Sequence, residues 1–191
     1  MGAFATLKAG DRTARVFVAG EPRPGSTGVL LLHAWWGLSD DVVAYAGRLA
    51  GEGFVVVAPD LFGGHVAITI EDAERISSTA DEAAIQAIVL AAIDLLTKRL
   101  GQRAPLAAIG FSFGAAWAIW APTQRDRIGA TVVYYGTWTG SILGRARTPV
   151  LGHFAEDDPY ESAGTVTEFG EGLRAAGREA VIHVYPGTGH W

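Results

Sequence analysis

The chain has 191 residues, a formal charge of −5, 49% hydrophobic and 18% charged residues. That length fits one domain with a sizeable core, and the composition excludes a disordered chain. No basic stripe is present, which argues against a nucleic-acid partner, and the absence of cysteine excludes disulfides, thiolate zinc sites and a cysteine nucleophile.

Residues 1–15 lack a basic segment followed by an apolar run, so no signal peptide is expected, and no apolar stretch approaches a bilayer span. The expected protein is cytoplasmic, with no membrane partner. Met1, Gly2 and Thr6 match the loose myristoylation pattern, which a short motif does by coincidence. The first predicted strand is Arg15–Ala19, so the N-terminal strands look abbreviated, and Pro22, Pro24 and Gly25 mark a loop over 21–27. Gly28–His33 is a continuous apolar run, as in a strand buried on both faces. Ser39–Leu49 has Val42, Val43, Ala46 and Leu49 on one helical face, and Gly51 and Gly53 stop it.

Phe54–Ala58 is the next buried strand, and 61–70 is an irregular connection. Glu71–Ser78 and Asp81–Leu100 read as helices, with Asp81 an N-cap. Leu106–Phe111 is a strand and Gly114–Trp120 a buried helix. Strands over Ile128–Tyr135 and Val150–Phe154, a helix over Thr165–Ala176 and a last strand over Ala180–Tyr185 complete the pattern. The β-α-β alternation predicts an α/β domain over 1–191 with a mostly parallel sheet covered on both faces. In such sheets, sites gather at the carboxyl ends of the strands.

Gly110-Phe111-Ser112-Phe113-Gly114 is a G-x-S-x-G motif lying between a buried strand and a small-residue helix. That setting makes a nucleophile elbow, with the serine at a helix N-terminus where developing negative charge is favoured. The other reading is a strand-to-helix turn with a serine cap. A serine hydroxyl needs a base. His183 reads as a packed mid-strand residue, while His33 and His153, near strand ends, are candidates to line the site; His65 is in a loop. His190 alone follows both an acid-bearing loop and a final strand, across a turn at 186–189. Glu156, Asp157 and Asp158 follow the Val150–Phe154 strand, and spacing does not choose among them. The expected oxyanion donors are the backbone N–H groups of Phe113 and Trp35. Trp36, Trp117 and Trp138 are candidates, with Trp35 and Phe113, to wall a small apolar substrate pocket, or else core residues.

Five segments in order are Leu-Leu-His-Ala-Trp-Trp-Gly-Leu at 31–38, Gly-Phe-Val-Val-Val-Ala-Pro-Asp-Leu-Phe at 53–62, the elbow, Gly-His-Phe-Ala-Glu-Asp-Asp at 152–158 and Tyr-Pro-Gly-Thr-Gly-His at 185–190. Together they resemble the dienelactone hydrolase family of α/β-hydrolases. The resemblance implies the α/β-hydrolase fold and a Ser112–His190–Asp158 triad, with Asp157 the second choice of acid. It also implies a small ester or lactone as substrate; no metal and no cofactor are expected, since the sequence has no H-x-x-x-H or comparable ligand pair and no dinucleotide fingerprint after a strand. The family's best-known members carry cysteine in the elbow and a glutamate where this chain has Ala34; serine without that glutamate looks like an ordinary esterase device. No counterpart of the family's carboxylate-binding arginines is evident. Family members also continue into a final helix, which is missing here; the apolar face so left predicts self-association into a homo-oligomer. The competing functions are a non-catalytic small-molecule binding or interaction domain on the same fold, and an acyltransferase with the same triad.

Overall fold

The computed structural model describes residues 2–191. Met1, and with it the first position of the myristoylation pattern, lies outside the described residues. The chain begins with a hairpin, β1 (Gly2–Ala9) and β2 (Arg12–Ala19), turning at Gly10 with φ +66°. The abbreviated N-terminus expected from sequence is therefore corrected to two full strands. β1 was hidden because only Leu7 and Ala9 of its side chains are buried, so it has no apolar run to read.

The core of the fold alternates as expected: β3 (Gly28–Leu32), α1 (Asp40–Gly51), β4 (Val55–Pro59), α2 (Ile70–Ser78), α3 (Glu82–Leu100), β5 (Leu106–Phe111), α4 (Phe113–Gln124) and β6 (Ile128–Tyr134). A 3-10 turn over Gly140–Arg145 leads to β7 (Val150–Asp157), α5 (Ala163–Ala175) and β8 (Ala180–Gly189). The eight strands lie in the order β1-β2-β4-β3-β5-β6-β7-β8. β1, β2 and β4 pair antiparallel; every other pair is parallel. This is the α/β-hydrolase architecture. No helix among the described residues is long and apolar enough to cross a membrane.

β3, β4 and β5 are apolar because both faces are covered. Leu30, Leu32, Val55 and Val57 point to the face packed by α2, α3 and α4, which α5 extends over β7. Val29, Leu31, Val56 and Ile109 point to the other, where Ala46, Val42, Val43 and Leu49 of α1 cover them. Both faces are covered at the centre of the sheet; the expectation of a face left without its final helix falls on the α1 side, where Val132 and Tyr134 of β6 are only partly buried. On the α1 face, Phe111, Tyr134 and His153 form a row of stacked rings at 4.9 and 4.7 Å. The row continues to His183, 5.7 Å from His153, on a strand where Val181, Val184 and Tyr185 are exposed. His183 is thus an exposed residue, not the packed one that its mid-strand position predicted. An edge strand has one neighbour, so mid-strand position does not guarantee burial there.

Two boundaries bear on function. β7 runs three residues past its predicted end, to Asp157, and β8 runs through Pro186, Gly187 and Thr188 to Gly189. The predicted turn before His190 is present inside β8: Gly187 has φ +66°, the Thr188 hydroxyl donates to the Tyr185 carbonyl at 2.8 Å, and the register shifts before Gly189 meets Asp157. Pro186 is tolerated there because β8 is an edge strand.

Phe169 on α5 is fully buried, its ring 6.1 Å from that of Phe154 on β7. Phe169→Ala leaves a cavity there, and urea unfolding is expected to record a loss of about 3–5 kcal/mol.

Candidate active site

The elbow forms where β5 passes into α4. Ser112 has φ +46°, one of two non-glycine residues with positive φ among the described residues; Tyr135 (φ +38°) is the other. A serine in this conformation is strained by about 1–3 kcal/mol, so its surroundings must hold it. Its N–H donates to the Tyr134 carbonyl at 2.9 Å and its carbonyl accepts from the Ala115 N–H at 2.8 Å. The flanking glycines are needed for close approach: a Cβ at Gly110 would overlap the Gly114 carbonyl, and one at Gly114 the carbonyls of Leu32 and His33. Gly136 behaves likewise, against the Ser112 carbonyl.

The turn presents the Ser112 Oγ to the imidazole of His190, 3.0 Å from Nε2. On the far side of the ring, Nδ1 donates to Asp158, 2.7 Å from Oδ2 and 2.9 Å from Oδ1. The two side chains of this hydrogen-bonded pair are 5% and 1% exposed, so water scarcely competes for them. Asp158 is itself pinned, because Oδ1 accepts the backbone N–H groups of Tyr160 (2.8 Å) and Glu161 (3.0 Å). Asp157 ends β7 pointing outward, and Glu156 accepts the Gly187 N–H at 2.9 Å, which ties β7 to β8. Of the three acids, only Asp158 meets the histidine. The result is a hydroxyl–imidazole–carboxylate chain able to activate the hydroxyl as a nucleophile.

The two expected oxyanion donors sit at the start of α4 and in the turn after β3. Phe113 is the first residue of α4, where a backbone N–H has no intrahelical acceptor. Trp35 is the second residue of a turn closed by Gly37 N–H to Ala34 carbonyl at 3.1 Å, a position whose N–H the turn does not use. That turn is braced from below. Gly37 (φ +89°) has no room for a Cβ against the His65 carbonyl, and the Ala67 N–H donates to the Trp36 carbonyl at 3.0 Å.

His33 does not line the site. It is fully buried, donating from Nδ1 to the Ala34 carbonyl (2.7 Å) and accepting the Leu61 N–H at Nε2 (3.0 Å). Burial holds its pKa below the usual histidine value, against the opposing pull of the Ala34 carbonyl and Asp60, and the accepting Nε2 requires the neutral ring. His65 stays in its loop, near the Phe62 carbonyl. His153 meets the Tyr185 hydroxyl at 2.6 Å, away from the triad.

Residues not singled out in the sequence surround the base. The rings of Tyr135, Tyr160 and Trp191 lie 4.8, 4.9 and 5.2 Å from that of His190. Tyr135 was foreseeable only as the residue after a strand that neighbours the elbow; Tyr160 and Trp191 carried no pattern. Glu161 accepts both the N–H and the hydroxyl of Thr137, at 2.9 and 2.8 Å, joining the acid loop to the loop after β6. Beside the triad opens a cavity of about 660 Å³. Of the tryptophans expected to wall a pocket, Trp36 lines it. Trp117 and Trp138 do not: Trp117 is buried 5.5 Å from Trp120 in the core under α3 and α4, and the half-buried Trp138, 6.1 Å from Trp117, packs against that core and the one under α5. α4 is apolar on all sides, so its periodicity could not reveal which ring faces where. Burial raises the Tyr134 hydroxyl to about 12, with the neighbouring Tyr45 adding to the shift, and raises Tyr135 as well. Both remain protonated donors at neutral pH.

Comparison with known proteins gives a consistent picture. The model of the dienelactone hydrolase family matches residues 14–191. The chain is 27% identical to "Protein usf" of Aquifex pyrophilus, over all of this chain and 86% of that protein. It is 24% identical to a protein of Aquifex aeolicus named as a candidate carboxymethylenebutenolidase, again over all of this chain and 86% of the other. A solved Klebsiella pneumoniae structure, named as a candidate dienelactone hydrolase, superposes with a TM-score of 0.85 at 22% identity, covering all of this chain and 87% of that one.

Close packing at the elbow gives a direct test. Gly114→Ala forces a methyl group onto the Leu32 and His33 carbonyls, and backbone cannot swing aside as a side chain can. Urea denaturation is expected to show a loss of about 1–3 kcal/mol.

Proposed function

This chain belongs to the dienelactone hydrolase family and is a carboxylic ester hydrolase, and we propose that it cleaves a small ester or lactone through an acyl-enzyme on Ser112. The observation that carries the reading is the continuous chain from Ser112 Oγ to His190 (3.0 Å) to Asp158 (2.7 Å), on a strained elbow at the carboxyl end of β5.

The steps follow from the geometry. Ser112 Oγ adds to the substrate carbonyl carbon while His190 Nε2 takes the hydroxyl proton. The carbonyl oxygen becomes an oxyanion, for which the N–H groups of Phe113 and Trp35 are the donors, and the N-terminus of α4 adds a favourable dipole. Asp158 keeps Nδ1 protonated, so that Nε2 is the free acceptor, and stabilises the imidazolium once the proton arrives. Collapse of the intermediate breaks the bond to the alcohol oxygen, and His190 returns its proton to that oxygen. Water then enters, gives a proton to His190 and attacks the acyl carbon; the second collapse releases the acid and restores Ser112.

Hydrolysis of p-nitrophenyl acetate by wild type and Ser112→Ala, matched for folding by circular dichroism, checks the assignment. Turnover is expected to fall at least about a thousandfold in the variant. Asp158→Asn leaves the ring in place but favours the wrong tautomer, and a loss approaching 10⁴-fold in kcat is expected. Activity that survives Ser112→Ala would remove the serine from the mechanism.

A further inference from the structure

His33, directly after β3, and Asp60, directly after β4, are buried ionisable groups that the proton transfers above do not use. Burying such groups costs free energy unless they are hydrogen-bonded, so their partners tell what they hold in place. Asp60 accepts the N–H groups of Phe62 (2.9 Å) and Gly64 (2.6 Å) and shapes the loop after β4. That loop presents the Leu61 N–H to Nε2 of His33 at 3.0 Å. A ring nitrogen that accepts carries no proton, so the proton lies on Nδ1, which donates to the Ala34 carbonyl at 2.7 Å.

The Ala34 carbonyl and the Trp35 N–H belong to one peptide unit. The unit is planar and trans, so the two groups point in opposite directions and neither turns without the other. The Trp35 N–H has no acceptor among the described residues. The carbonyl accepts twice. The Gly37 N–H, at 3.1 Å, closes the turn on itself, and the Ala67 N–H holds the Trp36 carbonyl, a different peptide. Among the described residues, the His33 ring alone bonds the Ala34–Trp35 peptide from outside the turn, and through Leu61 it ties that peptide to the loop after β4.

His33 also meets the segment of the other donor. A Cβ on Gly114, the residue after Phe113, would lie 2.5 Å from the His33 carbonyl oxygen. The Phe62 ring is 5.0 Å from the His33 imidazole and 5.1 Å from the Phe113 ring. His33 is thus packed between the two backbone segments that carry the oxyanion donors.

We propose that His33 is a positioning residue for the oxyanion hole: its Nδ1–H fixes the Ala34–Trp35 peptide so that the Trp35 N–H faces the oxygen of the carbonyl that Ser112 attacks. The proposal rests on the ester-hydrolase reading above, with Trp35 as an oxyanion donor. His33 touches no reacting atom and exchanges no proton. A donor held in place before charge develops needs no reorganisation when it does, and that is where such a donor gains its effect.

Two variants of the full chain isolate the Nδ1 donor. His33→Leu is apolar and has none; His33→Asn carries an N–H as many bonds from Cα as Nδ1. Turnover of p-nitrophenyl acetate is counted per serine titrated with a fluorophosphonate, so misfolded chains drop out. His33→Leu is expected to lower kcat about ten- to a hundredfold with KM little changed, and His33→Asn to recover most of the loss. A residue that only stabilises the fold would lower the titratable fraction and leave kcat per site intact. That outcome, or equal losses in both variants, overturns the proposal. The peptide itself is observed by labelling with carbonyl-13C alanine and 15N tryptophan, because only Ala34–Trp35 and Ala116–Trp117 join those two residue types in that order. The Ala34 carbonyl resonance is expected to move upfield in His33→Leu and to stay near its wild-type position in His33→Asn, with the Ala116 pair as reference. An unmoved Ala34 resonance in His33→Leu also overturns the proposal. Wild type that neither hydrolyses the ester nor takes up the fluorophosphonate would sink the hydrolase reading instead, and the resonances, which need no turnover, would still decide whether His33 holds the peptide.

Discussion

Ser112 is held at φ +46°, a conformation that a free serine leaves spontaneously. Everything near the site is arranged so that it cannot leave. The bond from its N–H to Tyr134 fixes it to β6, and its carbonyl starts α4. Glycines at 110, 114 and 136 let three backbone segments close to distances that a single methyl group would forbid. The strain is local, and the surrounding contacts that offset it belong to the whole centre of the sheet. The order β3-β5-β6 is what sets a helix N-terminus, a strand end and a loop around one hydroxyl.

The same constraint explains how unevenly the two sheet faces are used. α2, α3, α4 and α5 cover one face, and the elbow docks α4 directly against β3 through Gly114. The other face has α1, which packs its apolar side on β3 and β4 and turns Asp41, Tyr45 and Arg48 toward the cavity. The cavity lies next to α1 because that helix covers β3 and β4 without reaching over the Phe111–Tyr134–His153 row.

Much of this was legible in the sequence, for physical reasons. Buried parallel strands are apolar throughout, so β3, β4 and β5 announced themselves, and the glycine spacing around Ser112 reported a turn too tight for side chains. His190 followed from chain order, but the spacing of 156–158 did not separate the acids. The choice falls on Asp158 because the chain turns there and its own backbone N–H groups, at 160 and 161, face the carboxylate. What stayed hidden was whatever depends on direction rather than type. Six tryptophans are visible in the sequence, yet only packing tells that Trp36 faces the cavity while Trp117 is buried in the core and Trp138 lies half-buried against it. β1 stayed hidden because a hairpin strand at the sheet edge buries too little to leave a pattern.

The end of β8 shows how backbone and chemistry are joined. A proline-glycine segment before the base reads as a hinge, and a base on a hinge would sample many positions. Here the segment turns at Gly187 (φ +66°) within β8, and two links hold it: the Gly187 N–H bonds Glu156, and Gly189 sits in register with Asp157. Glu156, Asp157 and Asp158 thus divide three tasks among adjacent carboxylates and their backbone. The first fastens β8, the second aligns its last residue, and the third receives the imidazole. The acid loop is in turn fastened to the loop after β6 through Glu161 and Thr137, close to the strained Tyr135 and Gly136 that back the elbow. Asp158 and Ser112 are therefore both tied to the segment that ends β6: one through Glu161 and Thr137, the other through the Tyr134 carbonyl.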